Sequence, residues 1–177
     1  AYLLKVEPGT AFYRSPPAGL PDGDAAADFY LYAVQQLEAA GYRQYEISNF
    51  ARPGHEGRHN LLYWNCNDYW GIGPAAHSCV DNVRRFWPGD VQGFIDGTIH
   101  EEIEGDCTVE DYLLMQLRLV SGLDIAEYER RGGRFTAAQR AFMRQCVGHG
   151  YATLDGNVFR LAPAGMVVQN AILAELM

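Results

Sequence analysis

The sequence predicts an α/β chain in two parts, βα units over residues 1–96 and a mostly helical part with a small, winged-helix-like β-wing over residues 97–177. Three observations predict it. β-rich runs alternate with a helical segment between Tyr2 and Phe50. Beyond residues 97–106 the pattern changes to capped helices. Between two of those helices, an Asp155-Gly156 dipeptide joins two β-rich runs, which is the signature of a tight hairpin. A chain of 177 residues with 48% hydrophobic and 20% charged residues has the composition of an ordinary globular protein and is long enough to bury a core.

Tyr2–Glu7 is an apolar run stopped by Pro8-Gly9 and reads as a strand. The prolines 16, 17 and 21 mark a loop, after which Asp22 or Asp24 caps a helix running to Ala40. Phe29, Ala33, Leu37 and Ala40 share one face of that helix, and Gly41 ends it. Gln44–Phe50 then reads as a second strand, and strand, helix, strand at this spacing predicts a parallel pair. Parallel sheets are covered on both faces, and Ala1 is no initiator Met, so further strands and helices are expected ahead of residue 1.

Arg52–Asn67 reads as a long irregular segment, followed by an apolar strand over Tyr69–Ala76. Asn82–Trp87 reads as a turn between short strands and Val91–Asp96 as a short helix. Thr108 with Asp111 makes a capping-box start, with Leu113, Leu117 and Val120 on the buried stripe and Gly122 as the stop. Ile125–Arg131 is a short helix ended by Gly132-Gly133. Thr136 with Gln139 opens another helix, to Val147. After the hairpin, Pro163 starts a last helix carrying Val168, Ile172 and Leu176 on one face.

Charge and composition exclude several functions. The net charge is −8, with a single lysine, Lys5, so no nucleic-acid partner is expected. Arg140 and Arg144, on the helix that reads DNA in winged-helix regulators, belong to a solvated face. No apolar run approaches the roughly 18–20 residues of a membrane span, and no signal peptide opens the chain, so a cytoplasmic location is expected. Cys66, Cys79, Cys107 and Cys146 are widely spaced, with no CxxC or CxxxCxxC, and read as four reduced thiols rather than a metal site.

The chemistry-bearing residues concentrate between Tyr45 and Ser78, which holds three of the five histidines and two of the three tryptophans. Four blocks occur in order here and upstream: Val6-Glu7-Pro8-Gly9-Thr10, Tyr45 through Pro53, His59-Asn60-x-x-Tyr63-Trp64, and Asp68 through Ser78. In these blocks the sequence resembles the C-terminal part of radical SAM proteins related to oxygen-independent coproporphyrinogen III oxidase, most of all the HemW heme chaperone branch. The resemblance is weakest between Val80 and Glu104. It implies that residues 1–96 are the closing βα units of a partial TIM-type radical SAM barrel and that residues 97–177 are the family's accessory domain.

The resemblance also implies a 4Fe-4S cluster and S-adenosylmethionine in the full-length protein. Their CxxxCxxC motif belongs to an N-terminal barrel half that this sequence lacks, so the chain by itself is expected to be inactive. A tetrapyrrole partner is implied: heme in the chaperone branch, a porphyrinogen undergoing oxidative decarboxylation in the oxidase branch. An interaction domain with no ligand of its own is the third reading.

Residue by residue, His59 is either a loop-organising histidine or, by the resemblance, a heme contact, with Asn60 beside it and Tyr63 and Trp64 as flat surfaces. His77 follows Gly71-Ile72-Gly73-Pro74-Ala75-Ala76, small residues that let backbone approach closely. This segment is either tight packing at a strand end or, by the resemblance, the border of the S-adenosylmethionine pocket at Gly73, Ala76 and His77, through backbone more than side chain. Glu7 and Glu46 hold loops in the plainer reading and do acid/base work in the other. Ser48 and Asn49 likewise hold the loop, and His55 faces solvent. In the resembled family a Cys often stands where this chain has Gly57, a departure that removes a thiol from the segment.

Overall fold

The computed structural model describes all 177 residues. Helix α1 (Ala11–Arg14) is a single turn capped by the Thr10 hydroxyl, which accepts the Tyr13 N–H. Helix α2 (Gly23–Ala39) starts where the Asp22 carboxylate accepts the Ala25 N–H, and the chain leaves it through Gly41 at φ +83°. Its buried residues are Tyr30 and Val34, while Phe29, expected on the buried stripe, is 61% exposed. Hydrogen bonding fixes the rotation. The Tyr30 hydroxyl donates to the Ile47 carbonyl at 2.9 Å and accepts from Gln44 Nε2 at 2.6 Å, so Tyr30 faces the following hairpin.

That hairpin corrects the expected parallel βαβ unit. Residues 44–50 are two strands, β1 (Arg43–Glu46) and β2 (Asn49–Ala51), antiparallel with Arg43 opposite Ala51 and Glu46 opposite Asn49. The chain reverses because Glu46 Oε1 accepts the Ser48 N–H at 2.9 Å and so closes the turn. Tyr2–Glu7 forms no strand. Its nearest ties to the hairpin are the Ala1 amino group donating to the Ser48 carbonyl and Asn49 Nδ2 donating to the Tyr2 hydroxyl. A strand needs a ladder of paired backbone groups, and this segment has none. Every strand pairing in the chain is antiparallel and no sheet closes, so the residues described hold small open sheets.

Next comes helix α3 (Arg58–Trp64), inside the segment expected to be irregular. A three-stranded sheet follows, β3 (His77–Val80), β4 (Val83–Phe86) and β5 (Glu102–Asp106), in the order β3-β4-β5. Helix α4 (Val91–Asp96) lies between β4 and β5, capped by Asp90 and ended by Gly97 at φ +67°. The strand expected over Tyr69–Ala76 is absent. Only Tyr69 pairs there, as a bridge to Cys79, and the strand proper begins at His77. Positive φ at Gly73 (+114°) and Ala75 (+59°) bends the intervening chain out of extended conformation.

The C-terminal part is mostly helical around a small sheet. Helix α5 (Val109–Gln116) and helix α7 (Ala137–Gly148) both open on complete capping boxes, Thr108 with Asp111 and Thr136 with Gln139. Between them lie β6 (Leu123–Asp124) and α6 (Ile125–Arg130). The hairpin β7 (Ala152–Asp155) and β8 (Val158–Leu161) adds β6 as a third strand, in the order β6-β8-β7. The last helix is broken at Val168 into α8 (Pro163–Val167) and α9 (Gln169–Leu176). One hydrophobic core joins these elements, with Leu113, Leu117, Leu123, Phe159 and Leu176 almost wholly buried. Each such side chain contributes about 1.5–3 kcal/mol. From the first part, Tyr30 and Val34 enter this core, so α2 is docked on the C-terminal part.

Candidate functional site

Seven residues are too few for a helix to persist alone, so α3 is held by what it packs against. Gly57 sits at its N-cap without a side-chain cap, and Asn65 closes it by donating from Nδ2 to the Leu61 carbonyl. From α5, Gln116 Nε2 donates to the Trp64 carbonyl at 2.8 Å. The Arg118 guanidinium lies over the Trp64 ring, 4.3 Å from its centroid. Arg118 Nη2 in turn donates to Glu46 Oε2 at 3.2 Å, and Glu46 is 0% exposed. Backbone bonds from Ile47 to Arg118 and from Val120 to Tyr45 run beside this pair. Glu46 therefore anchors β1 to the end of α5 and, through Arg118, fixes the pose of α3. Glu7 instead pairs at the surface with Lys5, 2.8 Å away.

The helix sorts the motif onto two faces, because residues four apart share a face. His59 and Tyr63 form one pair. Tyr63 Oη and His59 Nε2 are hydrogen-bonded at 2.6 Å, with the rings edge to face at 4.7 Å. His59 is exposed and Tyr63 half-buried. Tyr63 packs edge-on against Tyr69 at 4.3 Å, and burial pushes the Tyr69 hydroxyl pKa above its usual value. Tyr69 is fixed to β3 by two backbone bonds with Cys79, of 2.8 and 3.0 Å. Asn60 and Trp64 form the other pair. Trp64 is turned to Arg118 and its indole Nε1 is buried without a partner. Asn60 Nδ2 lies 3.7 Å from where a Cβ on Gly57 would stand, and the Tyr45 hydroxyl lies 2.8 Å from it. A cysteine at position 57 fits only if Tyr45 moves.

Gly73, Ala76 and His77 form a second locus, with no hydrogen bond or ring contact to α3. It is linked to α3 through Tyr69 and β3. Ala76 uses both backbone groups internally, its N–H donating to Gly73 O and its carbonyl accepting from Trp87 N. The exposed His77 ring stacks on Phe86 at 5.8 Å, with Nδ1 3.6 Å from Glu104 Oε2. Gly71 is dictated by close approach, since a Cβ there would lie 2.1 Å from the His77 carbonyl oxygen. The buried Ser78 hydroxyl accepts the Gly71 N–H and donates to Glu101 Oε1.

No group of three or more His, Cys, Asp or Glu side chains converges on a metal-sized point. A 4Fe-4S cluster needs three or four thiolates around one centre. Here only Cys79 and Cys107 meet, so these residues do not fit the cluster.

Sequence reasoning missed Arg118 and Tyr69. Arg118 is 72 positions from the carboxylate it pairs with, and the only signal for it was indirect: a Glu in a buried strand needs a cation.

No family model matches the chain. The heme chaperone HemW of Mycobacterium tuberculosis is 33% identical over 189 residues, covering 100% of this chain and 46% of that protein. HemW of Escherichia coli is 32% identical over 180 residues, covering 97% of this chain and 47% of that protein. Among solved structures, coproporphyrinogen III oxidase (HemN) from Escherichia coli, a radical SAM enzyme, aligns with a TM-score of 0.63 over 90% of this chain and 42% of its own, at 17% identity. That likeness places the open sheets and helices described above within a radical-SAM-like fold. No helix is long and apolar enough to cross a membrane. The chain spans about half the length of the curated relatives it matches, and over that length it is similar to HemW heme chaperones in sequence and to HemN in fold.

Proposed function

We propose that this chain binds a tetrapyrrole, heme in preference to a porphyrinogen, on the outer face of α3, as the heme-handling part of a HemW-like chaperone. The observation that carries the proposal is His59: an exposed imidazole at the edge of the Tyr63–Tyr69 ring pair. Supporting it, the chain aligns from end to end with a protein named a heme chaperone.

The rings offer apolar area to a flat macrocycle, and the imidazole offers iron a nitrogen ligand. Nε2 is already engaged by the Tyr63 hydroxyl, so iron takes it only as that hydroxyl swings away. Tyr63 thereby regulates ligation, and Asn60 and Trp64 act from beneath, holding α3 in place. Gly73, Ala76 and His77 border S-adenosylmethionine on this reading. Because Ala76 has committed its backbone groups, the His77 ring is the group that meets the ligand. On this reading the cluster and S-adenosylmethionine cleavage belong to a part of the full-length protein outside this chain, and the chain alone performs no radical chemistry, in a cytoplasmic setting.

The test is a heme titration followed at the Soret band. His59→Ala is expected to weaken binding and blue-shift the band. Tyr63→Phe frees Nε2 from one hydrogen bond and is expected to tighten binding by about two- to tenfold. An unchanged spectrum in His59→Ala refutes the ligand assignment. Conversion of coproporphyrinogen III to decarboxylated product by a full-length form carrying these residues selects the oxidase reading instead.

A further inference from the structure

Cys79 lies buried on β3, and the half-buried Cys107 directly follows β5, both as free thiols. Their sulfur atoms are 3.1 Å apart. Backbone holds each of them in place. Cys79 is paired with Arg84 across β3–β4 and with Tyr69 on its other side. The Cys107 N–H donates to the Asn82 carbonyl in the β3–β4 turn at 2.6 Å. The two thiols thus meet across the end of the middle strand, at the junction where β5 passes into the Thr108 capping box of α5. Beside Cys107 opens a recess of about 170 Å³, lined by Cys66, Asn82, Thr108, Tyr112 and Arg131. A water-sized molecule takes about 30 Å³, so the recess admits hydrogen peroxide, while Cys79 lies beyond the reach of a bulky thiol or disulfide.

We propose that Cys79 and Cys107 form a peroxide-responsive dithiol, whose oxidation to a disulfide staples β3 to the start of α5. The Cys107 sulfur attacks one peroxide oxygen, the O–O bond breaks, and Cys107 becomes a sulfenic acid with release of water. The Cys79 sulfur then attacks the Cys107 sulfur, the S–O bond breaks, and a second water leaves. Two thiols lose two electrons and two protons, and one hydrogen peroxide is reduced to two waters. Burial, with the Cys79 contact, pushes the Cys107 pKa up to about 12. Only the thiolate attacks, so the pair is slow at neutral pH and its oxidation rate rises about tenfold per pH unit. The proposal stands independently of the tetrapyrrole reading.

The test treats the whole chain with hydrogen peroxide, then denatures it in N-ethylmaleimide and maps the peptides without reduction. Labelled cysteines are expected to fall from four to two. A Cys79–Cys107 cross-linked peptide, lighter by two hydrogens, is expected to disappear on adding dithiothreitol. Cys66→Ser is expected to leave this unchanged and Cys107→Ser to abolish it. Glutathione disulfide is expected to give no Cys79 adduct. Four labelled thiols after treatment, a Cys66–Cys107 bridge, or a Cys107 sulfinic acid as the product would each overturn the proposal, and all three are read on the unmutated chain.

Discussion

Replacing Arg118 with alanine tests whether the pose of α3 depends on a buried charge. Glu46 is 0% exposed, and its two oxygens are taken by the Ser48 N–H and by Arg118 Nη2. The Arg118 side chain is 26% exposed, so the pair is largely shielded from solvent. Removing one partner of a buried pair leaves an uncompensated charge, which costs about 3–5 kcal/mol. Loss of the guanidinium from the Trp64 face adds about 0.5–1 kcal/mol. A domain's total stability is about 5–15 kcal/mol, so the variant is expected to unfold at markedly lower urea. Trp64, beneath the guanidinium, makes tryptophan fluorescence the natural probe. Glu46→Gln keeps an acceptor for Ser48 and removes the charge, so in the Arg118→Ala background it is expected to restore much of the loss. A loss below about 1 kcal/mol, the worth of an exposed ion pair, would refute the reasoning, as would strict additivity of the two substitutions.

Gly71→Ala drives a Cβ to within 2.1 Å of the His77 carbonyl oxygen. Because the clash is with backbone, the expected loss is about 1–3 kcal/mol by thermal melting, whereas Ile72→Ala next door, at an 88% exposed position, is expected to change stability by less than about 0.5 kcal/mol. Asp111 supplies a pH dependence. Burial raises its pKa, but the Thr108 N–H and hydroxyl and the Arg84 guanidinium together hold it below the ordinary 3.8. A depressed carboxyl stabilises the fold above its unfolded pKa, and that contribution is lost as pH falls through the folded one. Asp111→Asn is therefore expected to flatten the acid limb of the stability curve below about pH 4, read from urea midpoints at each pH.

Local signals survived the passage from sequence to structure, and non-local ones did not. Caps work within four residues, so Asp22, Thr108 and Thr136 mark true helix starts, and Asp155-Gly156 marks a true hairpin. The first strand pair failed because pairing is decided by the whole chain. Gln44–Phe50 has the composition of one strand, yet a carboxylate two residues from Ser48 closes a turn inside it. Helix α3 was invisible for a related reason. Seven residues after a Gly N-cap carry too little periodicity to register, and what stabilises them, Gln116 and Arg118, lies about fifty residues away in sequence. Strand β6, of two residues, exists only as the partner of β8.

Helicity at α3 changes what the motif His59-Asn60-x-x-Tyr63-Trp64 means. In a loop its four side chains are independent. On a helix, the spacing of four makes His59 and Tyr63 one couple and Asn60 and Trp64 another, about a residue's rotation apart. Of the four only His59 is exposed, and it arrives hydrogen-bonded to Tyr63. Trp64, the largest flat surface of the set, is committed to Arg118 and through it to Glu46. A ligand on the outer face therefore meets one imidazole and the edges of two tyrosines, while the indole beneath sets where that imidazole stands. It follows that Trp64 substitutions act as Arg118 substitutions do, by letting α3 move. They are separable from His59 substitutions because they alter stability and ligand affinity together, where His59, exposed and bonded only to Tyr63, alters affinity alone.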